Sequence, residues 1–387
     1  MKSTIKKPLK ITLLSLLFAV FCLNACQDET EIMEKELNQN IPEQDCDGCM
    51  LEKYSDENGT PETFGQGIAQ LNVVSYDSAK VFEGDILLTD NQIKMATSLF
   101  DEPNGRSAGI TRFWHLWPNK IVYYTISARL QNKSRVLNAI KHWERKTGFR
   151  FVFRTNQRNY IRFVTGNGCA SFVGMIGGRQ LIWLSPRCST GNVIHEIGHA
   201  IGLFHEQSRI DRDKYLKIHW NRIKKGRSFN FQMYAFRGYQ GFDNGPLDFG
   251  SIMMYPSRAF SINNKPTITK RDGGTYQAQR RGLSNGDIEG VKFMYGKKSK
   301  LLWYPNVTGK KVYLHSKWFV RIEFQQDHQS FDHYVYFLIE NGSTKVVITK
   351  ESGKTFTFKS SNFSVYAAKR DKYGNTGLIK KVNIKNI

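Results

Sequence analysis

The chain has 387 residues, too many for one ordinary hydrophobic core, so two or three folded units are expected. Hydrophobic residues make up 40% and aromatics 13%, which excludes a disordered chain. The formal net charge of +22 hides a division: residues 27–107 carry a net −13 and residues 108–387 a net +31, yet no nucleic-acid-binding motif accompanies the basic part, so charge alone assigns no such partner.

Four lysines (Lys2, Lys6, Lys7 and Lys10) precede an apolar run from Ile11 to Leu23 that is too short for a stable membrane helix. Residues 1–25 are therefore expected to be a signal peptide. The run ends Leu23-Asn24-Ala25-Cys26, which resembles a bacterial lipobox with Cys26 as the lipidated residue. The following Asp28-Glu29 resembles the export signal of bacterial surface lipoproteins. Ordinary secretion and an uncleaved anchor are the other two readings. No second span follows, so membrane contact would run only through lipid on Cys26.

Residues 27 to about 65 are polar and acidic and include Cys46 and Cys49; they are expected to form a mobile tether. From about Asp77 the pattern is denser, and Val81-Phe82-Glu83-Gly84-Asp85-Ile86-Leu87 sets apolar residues around a lone Gly-Asp. Ile121–Ile126 has the composition of a buried strand. Val136, Leu137, Ile140 and Trp143 recur at helical spacing over 134–147, with Gly148 as the stop. Strands are expected at 149–153, 160–164 and 180–184, then a long helix from about Val193, which together make a mixed α/β domain. Between them lie Cys169 and Cys188, and in the oxidising compartment an exported chain meets, these two are expected to pair.

Beyond residue 297 the character changes. Short aromatic and β-branched runs (Val312–Leu314, Val335–Leu338, Val346–Ile348, Phe356–Phe358 and Phe363–Ala367) alternate with turn residues such as Asn341-Gly342, as in a small antiparallel sandwich.

The chemistry is concentrated in HEIGHAIGLFHE, residues 195–206. On a helix, His195 and His199 stand one turn apart on one face, so both imidazoles reach a single ion. Glu196 projects beside them, where a carboxylate takes a proton from an attacking water. Gly202 lets the helix end and the chain turn back, bringing His205 in from another direction. Three neutral imidazoles leave a fourth position for solvent, as a catalytic zinc site requires. The third histidine at this spacing after a glycine separates this pattern from a chance HExxH on a solvated helix.

With these residues the chain resembles the metzincin peptidases and, through Glu206 directly after the third histidine, the astacin family. Ser251-Ile252-Met253-Met254-Tyr255 resembles that family's Met-turn, and 168–188 its disulfide-bounded loop. The resemblance covers about residues 108–296 and departs in two places: a second cysteine pair is absent, and Met254 stands where histidine is frequent. It implies an α/β (α+β) domain with a five-stranded N-terminal sheet and an active-site helix, one catalytic Zn2+ on His195, His199 and His205, Glu196 as general base and Tyr255 as oxyanion support. Met253 would lie beneath the metal. Through Phe82-Glu83-Gly84-Asp85 it further implies a propeptide over 26–107 that inhibits through Asp85, and a mature N-terminus near Ala108 buried beside Glu206. A thiolate of Cys46 or Cys49, a strong zinc ligand, is the competing switch, and a local disulfide or no role is the other reading of that pair. The catalytic domain would span 108–296 and a fibronectin type III-like or Ig-like sandwich 297–387. The expected function is a secreted, monomeric zinc endopeptidase made as a zymogen, acting on protein or peptide substrates, acidic ones fitting the basic body; that body also reads as a plain solvated surface. The rival is a catalytically vestigial surface protein that binds through its C-terminal sandwich.

Overall fold

The computed structural model describes residues 59–65, 71–76, 79–98, 116–234, 241–296, 307–314, 316–324, 333–341, 343–351, 353–370, 375–376 and 380–386. The signal segment with Cys26, the Cys46/Cys49 pair and the expected mature start at Ala108 lie outside the described residues. Among the described residues no helix is long and apolar enough to cross a membrane.

The fold is organised on a nine-stranded sheet, to which the leader segment contributes four strands: β1 (Thr60–Phe64), β2 (Leu71–Tyr76), β3 (Ala79–Phe82) and β4 (Ile86–Leu88). These form an antiparallel meander, followed by helix α1 (Asp90–Ser98). The expected tether thus ends earlier than its polar composition suggests, because Thr60–Phe64 is held by main-chain pairing to β2 while its side chains stay largely exposed.

The other five strands are β5 (Ile121–Ile126), β6 (Arg150–Phe153), β7 (Tyr160–Thr165), β8 (Cys169–Phe172) and β9 (Arg179–Leu184). Their order across the sheet is β8-β9-β7-β5-β6, with β8 antiparallel to β9 and the rest parallel. This is the five-stranded sheet expected for the domain, enlarged by the leader. The join is a parallel pairing of β4 with β8, in which Ile86 faces Ser171 and Leu87 faces Phe172.

Helix α2 (Ser134–Thr147) buries Val136, Leu137, Ile140 and Trp143 as their spacing requires, and Gly148 ends it at φ +70°. Helix α3 (Thr190–Ile201) begins at Ser189, whose hydroxyl accepts the Asn192 N–H while the Asn192 side chain accepts the Ser189 N–H, a reciprocal cap. Both helices bury their apolar faces with Ile161, Phe163, Ile182 and Leu184 of the sheet. The Cys169–Cys188 disulfide, with Cα atoms 6.0 Å apart, ties the start of β8 to the residue before that cap.

Past α3, β10 (Leu216–Ile218) pairs with β12 (Ile268–Lys270), β11 (Gly241–Phe242) lies between them in sequence, and helix α4 (Asn285–Gly296) closes the domain. The C-terminal segment forms two sheets. One carries β13 (Val307–Leu314), β14 (Lys317–Phe324), β17 (Gly353–Phe358) and β21 (Ile384–Asn386); the other carries β15 (His333–Glu340), β16 (Ser343–Thr349), β18 (Phe363–Arg370), β19 (Asn375–Thr376) and β20 (Lys380–Lys381). Val320, Ile322, Phe356 and Phe358 from the first meet Tyr336, Leu338, Val365 and Ala367 from the second in one core, which makes a sandwich. The alternate residues of β15 and β18 (Val335, Phe337, Tyr366 and Ala368) bury in a different cluster, shared with leader residues Leu71, Val73, Phe82, Ile86, Leu88 and Ile93 and with Val173, Ile210, Phe229 and Tyr234. β11 extends the same sandwich sheet by pairing with β19, and Arg370 meets Asp243 at 3.1 Å.

Two outcomes follow from how α3 is held. Replacing Cys169 and Cys188 together with serine should lower the unfolding free energy by about 3 kcal/mol, the order expected for a loop of this size, read from the denaturant midpoint; an unchanged midpoint would mean that the cap and core fix the helix without the bridge. Gly202 sits at φ +119°, and a Cβ there would lie 3.1 Å from the Met294 sulfur. Gly202→Ala should therefore cost about 1–3 kcal/mol in thermal or chemical unfolding.

Candidate metal centre

Helix α3 places His195 and His199 on one face, and its end sends His205 back toward them. Gly202 N–H bonds to the His199 carbonyl and Leu203 N–H to the Gly198 carbonyl, a left-handed closure that only glycine enters without strain. The helix is fixed along its length by side chains from elsewhere. Trp143 Nε1 donates to the Ile194 carbonyl (3.0 Å), Trp117 Nε1 to Ala200 (2.9 Å) and the Tyr295 hydroxyl to Ile201 (2.7 Å).

The three imidazoles are buried and their ring centres lie 4.7–5.4 Å apart. His195 Nδ1 is 2.8 Å from the Ile252 carbonyl and His199 Nδ1 is 2.8 Å from the Leu203 carbonyl. Each carbonyl accepts the Nδ1 proton and leaves Nε2 as the inward lone pair, the tautomer a metal needs. His205 is oriented differently: its Nδ1 is 2.6 Å from the Glu83 carboxylate.

Asp85 completes the cluster. The turn between β3 and β4 puts Glu83 at φ +52° and Gly84 at φ +91°, and a Cβ on Gly84 would lie 3.0 Å from the Phe260 ring. That turn drives the Asp85 carboxylate among the imidazoles while its main-chain carbonyl accepts the Ser171 N–H at 2.9 Å. Asp85 Oδ2 is 3.1 Å from His205 Nε2 and 3.4 Å from His195 Nε2, and Oδ1 is 3.8 Å from His199 Nε2. Burial opposes ionisation of Asp85, but His205 and hydrogen bonds from His195 and His205 outweigh it and hold the carboxyl well below its usual range. Burial likewise opposes charge on His205, and Asp85 and Glu83 override it and push this imidazole up to about 9. Burial, then the neighbouring His205 and His195, push His199 well below its usual value.

The donor set fits zinc. One ligand atom from each of Asp85, His195, His199 and His205 lies within 4.8 Å of all the others. A tetrahedral ion with ligands at about 2.0–2.1 Å sets them about 3.3 Å apart, and the carboxylate–imidazole separations of 3.1, 3.4 and 3.8 Å bracket that value. His199 Nε2 and Asp85 Oδ1 are buried and make no hydrogen bond among the described residues, as expected of atoms that bond to a cation.

Around this centre, Glu196 is fully buried beside the ligands. The Met253 sulfur lies against Gly198, where a Cβ would approach it to 2.8 Å. The Tyr255 ring lies 4.6 Å from the His205 ring at a tilt of 57°, and its hydroxyl donates to the Glu83 main-chain carbonyl. Its backbone is fixed on both sides: Gln207 Oε1 accepts its N–H at 3.2 Å, and Tyr276 donates to its carbonyl at 2.9 Å. Glu206 accepts from Arg209 (3.1 Å) and from the Asp248 N–H (2.9 Å), and burial, opposed by Arg209, pushes its carboxyl up to about 7. Its expected companion, the mature N-terminus, lies outside the described residues, as do Cys46 and Cys49.

Sequence reasoning left several supporting residues unassigned. Asp287 on α4 accepts the Ser251 hydroxyl (2.6 Å) and the Ile252 N–H (2.9 Å), and Ile252 in turn holds His195. Gln207, Tyr276 and Glu83 also had no role. Their signal exists only in three dimensions, since each acts across a long sequence separation.

The sequence profile of the astacin peptidase family matches residues 109–296. The chain is 39% identical over 229 residues to Blastula protease 10 of Paracentrotus lividus, covering 55% of this chain and 38% of that one. It is 34% identical over 221 residues to Zinc metalloproteinase nas-4 of Caenorhabditis elegans, covering 55% and 68%. Among solved structures, High choriolytic enzyme 1, a hatching enzyme zinc-protease from Oryzias latipes, aligns with a TM-score of 0.43 and 32% identity over 48% of this chain and 96% of that one. The chain spans 38% to 48% of the length of the leading curated relatives it matches. With sequence matches of this extent, the chain belongs to the astacin family of peptidases.

Proposed function

We propose that this chain is an exported zinc endopeptidase made as a latent precursor, in which His195, His199 and His205 hold the ion and Asp85 blocks it. The observation that carries the reading is the convergence of these four side chains within 4.8 Å. A bound zinc ion supplies Lewis acidity toward the scissile carbonyl and lowers the pKa of water toward about 7. Glu196 is the base: it takes the proton from the attacking water and hands it to the departing amine. Tyr255 supports the oxyanion. Its hydroxyl already donates to one peptide carbonyl, that of Glu83, and a substrate carbonyl takes over this bond when the leader leaves.

Latency rests on the leader as a whole. Asp85 sits on the metal ligands, the Glu83 carbonyl occupies Tyr255, and β4 lies along β8. Cleavage near Ala108 removes all three. Export fits the disulfide, which persists in an oxidising compartment. If Cys26 is acylated, the lipid stays with the leader, and cleavage frees the enzyme. Protein or peptide substrates, including acidic ones drawn by the net +31 of residues 108–387, follow from the reaction and the charge.

A casein assay on the matured wild type against Glu196→Ala, with zinc content measured on both, tests the reading. The variant should keep about one zinc and lose on the order of 10³-fold in kcat/KM; equal turnover removes Glu196 as the base, and none in either supports a protein that acts only through its sandwich. For latency, Asp85→Ala in the uncleaved precursor should raise peptide hydrolysis about tenfold or more, the reciprocal of the fraction of time the site stands open. A precursor as silent as before would hand the blocking role to Cys46 or Cys49.

A further inference from the structure

Two of the three imidazoles are oriented by the peptidase domain itself, through the Ile252 and Leu203 carbonyls. The third is oriented by the leader: His205 Nδ1 meets Glu83 Oε2 at 2.6 Å, with Glu83 only 1% exposed. We infer that Glu83 is a positioning residue for the metal, and that the precursor therefore holds zinc more firmly than the enzyme from which the leader has been removed. The inference rests on the zinc site proposed above and assigns its regulation.

The physical basis is the carboxylate behind the imidazole. A ligating histidine that donates its other ring N–H to a carboxylate is fixed in tautomer and rotation, and its metal-facing nitrogen becomes more basic than one bonded to a neutral carbonyl. Of the three ligands, His205 is the one whose Nδ1 meets a carboxylate, and it comes from the loop after Gly202 rather than from the helix. Glu83 adopts the left-handed φ of +52° that its place in the turn demands. Its main-chain carbonyl accepts from Tyr255 while its side chain takes His205, so the residue holds two parts of the centre by different atoms. Once the leader is gone, His205 Nδ1 is left to solvent, and the site exchanges tight metal retention for access. The leader thus acts as a loading device as well as a block.

The side chain is separable from the block, because Asp85 and the Glu83 main chain stay in place when only the Glu83 carboxylate is changed. The full precursor, loaded with one equivalent of zinc, is titrated with a chromogenic chelator and compared with Glu83→Gln and Glu83→Ala. The alanine variant should bind zinc on the order of 10–100-fold more weakly, with glutamine, which keeps an acceptor without the charge, between it and the wild type. Thermal melting of the metal-free variants should fall by less than that of the zinc-loaded ones, since the Glu83–His205 contact is present in both states but the metal contribution belongs to the loaded one. Zinc affinity in both variants equal to the wild type overturns the assignment, as does a metal-free melting loss as large as the loss with metal bound. Wild-type precursor that takes up no stoichiometric zinc sinks the metal site itself rather than the role of Glu83.

Discussion

An ionised carboxylate shut away from water among three imidazoles is tolerable only where positive charge faces it. Burial alone would cost Asp85 several kcal/mol of desolvation. A protonated His205, or a cation held between the imidazoles, offsets that cost and fixes the segment that carries Asp85 in the heart of the peptidase domain. The rest of the architecture serves this arrangement. The capped and terminated helix fixes two imidazoles, the left-handed turn at Gly202 delivers the third, and the Glu83-Gly84-Asp85 turn delivers the acid.

Support arrives in layers. Ser251 and the Ile252 N–H hang on the buried carboxylate of Asp287, and the Ile252 carbonyl holds His195, so α4 reaches the centre through a chain of two hydrogen bonds. Gln207 and Tyr276 fix the backbone of Tyr255 from either side. Most of these contacts end on main-chain atoms, which resist rearrangement better than contacts between flexible side chains do. The chemistry is thereby placed on rigid elements.

How much of this could be read beforehand depended on the range over which each feature acts. The histidine cluster was legible because helical periodicity alone puts His195 and His199 on one face and a glycine stop alone lets His205 return. Helix α2 was legible for the same reason, with Val136, Ile140 and Trp143 buried where their spacing puts them. The leader strands were not: Thr60–Phe64 leaves its side chains largely outside and gains its place from hydrogen bonds to β2, which leave no trace in hydrophobic pattern. The role of Glu83 was hidden too, since its partner lies 122 residues away. By contrast β14 carries a plain period-two signal in Val320, Ile322 and Phe324, and its omission from the expected strands has no physical excuse.

The apolar cluster that joins the leader, the peptidase domain and one face of the sandwich ties the three segments together. Under the cleavage proposed above, six leader side chains would leave it together, and Val335, Phe337, Tyr366 and Ala368 would lose neighbours that keep them dry. An uncovered patch of this kind seeks a new partner. On that proposal the leader shields the C-terminal module as well as the metal centre, and its removal would change what the module can adhere to along with what the site can cut.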